Sequence, residues 1–533
     1  MAGALPTEID RERPVMGAAG KRLLEAITTG MYDDPLMSIR EYIQNATDAI
    51  DTAVADGFLA PGEERISVSI SGRNRTITVE DNGCGVPEAR VERALCDPGY
   101  SEKQSCTHRG FRGIGRLGGL AYCKRLIFTT RASPKEVVTE VEWNGSDLRR
   151  VVDDKNDSAD LASAIAALAV IRTRKATPCE SHRFFRVTMK DVFRFYDDSI
   201  LNVRAIQSYL SSVAPVPYDE DGFSFSDSVK DHFAGMPGWR SYRIYVNGRQ
   251  LFKHYRDEVR LSETKSDRIA GVEAFEIRGI DGGLVGRGWY ALTGLLGAIP
   301  RTEPVRGIRA RQGNIAFGDE RFFEKAFIEP RFALWHMGEV ELSHNVRPNA
   351  RRDGFEQTAS YERLLAHMAI LGRELSSRCR TSSSLRSQER TLSSILNEVE
   401  RLISSYPMFI DNDHATSVAN KASVLLGKAR PAAMDGMKEK DVGKRYLALS
   451  RMLRAVQKRP PLISDCIDER LLGEGCTKRF LEDLCRRIFD TLGPDGTPAS
   501  VLSCILMPYL KEGVEMALSS RKNGHGHEGE HFS

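Results

Sequence analysis

The sequence predicts an α+β protein in three parts. Residues 1–216 read as helices layered on an antiparallel sheet. Residues 217–356 read as a second α/β region, a middle domain, and residues 357–533 as a helical C-terminal region. Three observations carry this reading. ISVSI and TITVE alternate apolar and polar residues on either side of SGRN, the pattern of a β-hairpin. A stretch rich in proline, glycine and acids, VAPVPYDEDGFSF to AGMPG, separates two strand-rich regions. Beyond Phe355, apolar residues recur at three- and four-residue steps, as helices require. A chain of 533 residues also exceeds what one compact core supports.

In chain order, a polar start precedes a helical pattern from Gly20 to Ile50, broken by a turn at Tyr32–Pro35. The hairpin follows. RLIFTTR, VVTEVEW and HRFFRVTMKDV read as further strands, with a short helix between the last two. In the second region RSYRIYVNGRQL, AFEIRGI, GRGWYAL and GIRARQGNIAFGD are strand-rich. In the last third YERLLAHMAILGRELSSRC, RTLSSILNEVERLISS, KRYLALSRMLRAVQ and KRFLEDLCRRIFDTL each carry a helical period, for five or six helices in all.

Bulk composition excludes several classes. Seventy-six basic residues against 73 acidic ones leave a formal charge of +3, which argues against an obligatory polyanion partner. Ten cysteines fall at no zinc-like or CxxC spacing, so reduced thiols in a cytoplasmic protein are expected. The opening MAGALPTEIDRERPVMG lacks a basic start followed by an apolar core, and no long apolar run suits a membrane span. His525, His527 and His531 sit in a polar tail; a frayed tail is the simpler reading than a metal site.

The chemistry concentrates in SIREYIQNATDAI. On a helix, Glu41, Asn45 and Asp48 share one stripe. By itself this is a solvated polar face. Two glycine motifs follow it. EDNGCG places Asp81 where the chain leaves a strand, with Gly83 and Gly85 permitting tight turns. A carboxylate there can accept a hydrogen bond from an exocyclic amine. HRGFRGIGRLGGL spaces Gly110, Gly113 and Gly115 as GxxGxG ahead of an apolar run. Glycines before a helix expose backbone N–H groups to a phosphate. No GK[ST] closes this loop and no βαβ strand precedes it, so it is neither a Walker A loop nor a Rossmann turn.

ExxxNxxDA, then DxGxG, then GxxGxG, in that order, resembles the GHKL ATPases, the Bergerat nucleotide-binding fold. The closest resemblance is to the Hsp90/HtpG chaperone branch, along KRLLEAITTGMYDDPLMSIREYIQNATDAI. The resemblance implies an ATPase using ATP and Mg²⁺. Glu41 would be the base that activates water, and Asn45 the Mg²⁺ ligand. Asp48 would line the pocket, and Asp81 would read adenine. Gly83, Gly85, Gly110, Gly113 and Gly115 would form its flexible edges. Lys103 falls near the lid lysine that contacts phosphate, or is a solvated loop lysine.

WHMGEVELSHNVRPNARRDGF resembles the middle-domain segment of that branch, which makes Arg352 the arginine expected on the γ-phosphate. Arg351 and Arg347 stand close enough to be confused with it. The sequence departs from the branch in a short lid and in Arg116 where an aromatic is usual. FFRVTMKDV lacks the Gly-Thr that completes the adenine pocket, leaving Thr188 as a stand-in. The resemblance covers roughly residues 16–356 and implies an ATP-driven clamp acting on protein clients, with a homodimer joined by the C-terminal helices. A MORC- or MutL-like clamp acting with nucleic acid, and a non-hydrolysing ATP-binding scaffold, stay open as alternatives.

Overall fold

The computed structural model describes residues 20–28, 34–100, 115–134, 137–154, 160–178, 180–194, 198–349, 353–404, 409, 412–434, 441–460 and 462. The chain divides into two compact units, Met1–Arg380 and Thr381–Ser533.

The first unit opens with α1 (Arg22–Ile27) and α2 (Leu36–Ala55). Asp34 starts α2 by accepting the Leu36 N–H at 2.9 Å. The expected hairpin is β1 (Ile66–Ser71) and β2 (Thr76–Asp81), antiparallel with Ile66 opposite Asp81. Then come α3 (Glu88–Cys96), a 3₁₀ helix at Gly115–Tyr122, β3 (Cys123–Arg131) and β4 (Val138–Asn144). The stretch read as a loop with one short helix holds two, α4 (Leu148–Asp153) and α5 (Leu161–Leu168). It then adds an unexpected edge strand, β5 (Ala169–Arg174), before β6 (Phe184–Val192). α6 (Val203–Val213) and α7 (Ser226–Phe233) lead to β7 (Ile244–Val246) and β8 (Arg249–Gln250).

These strands form one eight-stranded sheet in the order β5-β4-β3-β6-β2-β1-β7-β8. β7 lies parallel to β1, with Ile66 beside Ile244, so residues past Gly238 complete the sheet begun by the hairpin. Ile39, Ile43, Ala46 and Ile50 of α2 bury against Val68, Ile77, Val79, Phe128 and Val187 of the sheet. The apolar period of α2 thus drives the layer packing.

β9 (Glu258–Arg260) pairs with β10 (Ser266–Arg268). β11 (Gly271–Arg278), β12 (Leu284–Leu292), β13 (Gly307–Gln312), β14 (Ile315–Phe317) and β15 (Met337–Leu342) make a second sheet, ordered β11-β12-β15-β13-β14. Leu364, Met368, Leu371, Leu375 and Cys379, from the start of α8 (Ala359–Ser404), pack on this sheet. The two apolar runs read as separate helices are therefore parts of one 46-residue helix.

In the second unit, Leu392, Leu396 and Val399 of α8 pack with Ala422 and Leu426 of α9 (Asn412–Met434). Tyr446 and Leu449 of α10 (Asp441–Lys458) complete that core. KRFLEDLCRRIFDTL lies outside the described residues.

Candidate functional site

The site grows from α2 and the turn after β2. Glu41, Asp48 and Asp81 are 4%, 1% and 4% exposed, so these three carboxylates are interior groups rather than a solvated face. Asn45 is half-buried. The turn is fixed to α2 through its backbone. Cys84 N–H donates to the Ala49 carbonyl at 3.2 Å. A Cβ on Gly83 would lie 2.7 Å from the Ala49 carbonyl carbon, so only glycine lets the two backbones touch. Asp81 Oδ1 accepts the Gly83 N–H at 2.9 Å, which orients the carboxylate within that turn.

Gly85 holds the other side. Its φ is 66°, and a Cβ there would lie 2.2 Å from the Arg131 carbonyl oxygen on β3. Next to it, Val86 N–H donates to Thr130 Oγ1 at 2.8 Å, and that hydroxyl donates to the Phe184 carbonyl at 3.1 Å. The Asp81 turn is thus clamped between α2 and the end of β3 where it pairs with the start of β6. It docks at Ala49, beside Asp48 and one turn past Asn45. Glu41 lies two turns back, about 12 Å along the helix axis.

The glycine-rich 3₁₀ helix also reaches α2. Gly119 N–H donates to Tyr42 Oη at 3.0 Å, and a Cβ on Gly119 would sit 2.2 Å from that oxygen. Gly115 begins this helix and is half-buried. Arg116 Nη2 donates to the carbonyls of Asp97 at 2.6 Å and Tyr100 at 3.2 Å, a tether to two acceptors that a phenylalanine could not make. Burial pulls the Arg116 guanidinium down to about 10, still protonated at neutral pH. Lys103, Gly110, Gly113, Arg351 and Arg352 lie outside the described residues.

At the start of the stripe, Arg40 Nη2 lies 4.0 Å from Glu41 Oε1, with both side chains buried. Tyr209 of α6 faces this pair, and burial pushes its phenol up to about 12. Thr188 does not share a sheet face with Asp81. It stands opposite Thr78, with the two hydroxyls 3.3 Å apart. Asp81 stands opposite Phe185, three residues from Thr188, so strand alternation puts Thr188 on the other sheet face. Phe185 therefore takes the β6 position beside Asp81, with Thr130 next in register. Tyr42 and Gln44 belong to none of the three motifs; both lie in the quoted helix, and Gln44 is three residues from Glu41.

As a donor set, the amide oxygen of Asn45 beside buried carboxylates suits a hard cation that takes its remaining ligands from phosphate and water. No cluster of three or more His, Cys, Asp or Glu residues forms a metal cage among the described residues. No described helix is long and apolar enough to cross a membrane.

Comparison with known proteins agrees with this geometry. Residues 35–166 match the family described as histidine kinase-, DNA gyrase B-, and HSP90-like ATPase. The match takes in α2, the hairpin, both glycine motifs and β3–β4. The chain thus carries a GHKL ATPase domain, related to Hsp90 and HtpG. Its relatives include the chaperone protein HtpG of Porphyromonas gingivalis, 26% identical over 168 residues, 29% of this chain and 24% of that protein. HtpG of Halalkalibacterium halodurans is 28% identical over 152 residues, 26% of this chain and 24% of that protein. HtpG of Klebsiella pneumoniae is 35% identical over 144 residues, 24% of this chain and 23% of that protein. The chain spans about a quarter of the length of these relatives.

Proposed function

We propose that this protein binds ATP with Mg²⁺ at the α2–Asp81 site, hydrolyses it, and couples turnover to an Hsp90-like clamp motion. The supporting observation is the backbone contact of Gly83 with Ala49, which brings Asp81 to the stripe that carries Asp48, Asn45 and Glu41. In this reading the buried Asp81 carboxylate accepts a hydrogen bond from the adenine amine. Asn45 holds the cation, which when bound offsets the charge of the β- and γ-phosphates. Glu41 accepts a proton from the attacking water as general base. Asp48 lines the pocket between the two, and Lys103 reaches phosphate. Gly110, Gly113 and Gly115 edge the phosphate end, as Gly83 and Gly85 edge the adenine end. Arg352 supplies the charge that the transferring phosphoryl group requires. Protein clients and a homodimer joined through the C-terminal helices belong to the same reading, as does a cytoplasmic location.

Steady-state phosphate release by wild type and Glu41→Ala tests the catalytic half. Equal rates refute the base assignment. Calorimetric titration of Asp81→Asn with ATP tests the binding half, and wild-type affinity in that variant refutes the adenine role.

A further inference from the structure

Gln44 is 1% exposed, and neither Oε1 nor Nε2 of its amide has a hydrogen-bond partner among the described residues. Arg40 Nε and Nη2, one turn earlier, share that state, but the hydroxyls of the same helix differ. Thr47 Oγ1 donates to the Gln44 backbone carbonyl at 2.8 Å, and Ser38 Oγ donates to the Pro35 carbonyl at 2.6 Å. Buried hydroxyls of α2 are thus satisfied within the chain, while the Gln44 amide finds no partner among the described residues. Burying an amide with nothing to bond destabilises a fold, and an apolar residue of the same shape would suit the packing better. A buried polar group without a partner among the described residues is a place where water or a ligand can bind.

Position says which partner. Gln44 follows Glu41 by three residues, so the two Cβ atoms lie about 5–6 Å apart on one helix surface. Side chains rooted that close can bring a Glu41 carboxylate oxygen and Gln44 Oε1 to either side of one water, about 2.8 Å from each. Resting on the ATP-hydrolysis reading above, we propose that Gln44 is a second water-positioning residue, acting with Glu41 on the nucleophile.

The chemistry balances without a further reactant. The water donates one hydrogen to the Glu41 carboxylate and the other to Gln44 Oε1. Its lone pair is left free for the γ-phosphorus. The new O–P bond forms as the bond from that phosphorus to the β–γ bridging oxygen breaks, and its electron pair leaves with ADP. The proton passes to Glu41. Gln44 changes no bond of its own; it removes rotational freedom from the water, as a positioned glutamine does in other nucleotide hydrolases.

The test uses the full-length chain with Mg²⁺ and ATP. Gln44→Met keeps the side-chain length and removes both polar atoms. We expect an unchanged or raised Tm, ATP affinity within about threefold of wild type, and kcat lower by about tenfold or more. Gln44→Glu puts a second carboxylate beside Glu41, so the acid limb of the kcat–pH profile should move up by about one unit. A Met variant with kcat within twofold of wild type overturns the proposal. So does a loss of kcat matched by an equal loss of affinity or of Tm, which marks a packing role. So does an unshifted profile for Gln44→Glu. Wild-type turnover in Glu41→Ala is a separate result that overturns the hydrolysis reading itself.

Discussion

Lys253 Nζ lies 2.6 Å from Glu339 Oε2, with 1% and 0% of the two side chains exposed. Arg311 Nε meets the other oxygen of Glu339 at 2.6 Å, and Tyr218 donates to Oε2 at 2.5 Å. Arg311 also donates to the Ser212 carbonyl on α6 at 2.6 Å. One carboxylate thus compensates two buried cations and ties β13 and β15 to the helix that packs on α2. Burial opposes ionisation of Glu339, but Arg311 and Lys253 outweigh it and hold the carboxyl down to about 2.

Glu339→Gln should therefore cost about 3–5 kcal/mol of stability, because it leaves Lys253 and Arg311 buried without a counter-charge. Urea unfolding measures the loss. Adding Lys253→Met should recover part of it, since one uncompensated cation is gone. Strictly additive losses in the double variant would show that the pair is not coupled.

His336 gives a pH signature. Burial, with a smaller push from Arg378, lowers its imidazole from 6.5 to about 4. The folded state leaves it neutral where the unfolded chain protonates it. Its stabilising contribution is complete above pH 6.5 and is lost as pH falls toward 4, about 3 kcal/mol in all. The difference between wild-type and His336→Phe unfolding curves across that window should show this slope. A flat difference would remove His336 as its source.

Glu341 works in the opposite sense. Its two oxygens accept the Asn314 N–H at 3.1 and 3.2 Å, yet burial raises its carboxyl from 4.5 to about 7. The folded state keeps the proton longer than the unfolded chain does, so this group erodes stability as pH climbs from 4.5 to 7. Glu341→Gln should gain on wild type through that interval and then hold a constant advantage. Unfolding midpoints measured at pH 5 and pH 8 check it.

At the candidate site, Gly85→Ala combines a left-handed φ of 66° with a Cβ 2.2 Å from the Arg131 carbonyl. A cost of about 2 kcal/mol or more is expected. The Asp81 turn should shift with it, so ATP affinity should fall along with Tm. Wild-type Tm in this variant would mean that the turn is free to move off β3.

Much of the first sheet was legible because period-two alternation and the SGRN turn leave little freedom to the β1–β2 hairpin. β5 escaped because five of its six residues are exposed, so no apolar face marks it. α8 was read as separate helices because its middle, TSSSLRSQ, interrupts the apolar period without interrupting the backbone. MGEVEL misleads more deeply. Glu339 and Glu341 alternate with apolar residues like a solvent face, but β15 is buried on both faces and its acids meet Lys253, Arg311 and Asn314 instead. Cross-chain partners of that kind are set by tertiary packing and leave no local pattern. The glycines of the candidate site stood out because backbone contact at Gly83 and Gly85 demands glycine, whereas the buried Gln44 amide has no such spelling.

The parallel seam of β7 on β1 has a mechanical consequence. A protease cut between residues 217 and 243 would leave the two pieces gripping each other, since Ser67 and Val68 still zip to Tyr245 and Val246. Residues on either side of Gly238 are therefore joined by strand pairing as well as by the chain itself.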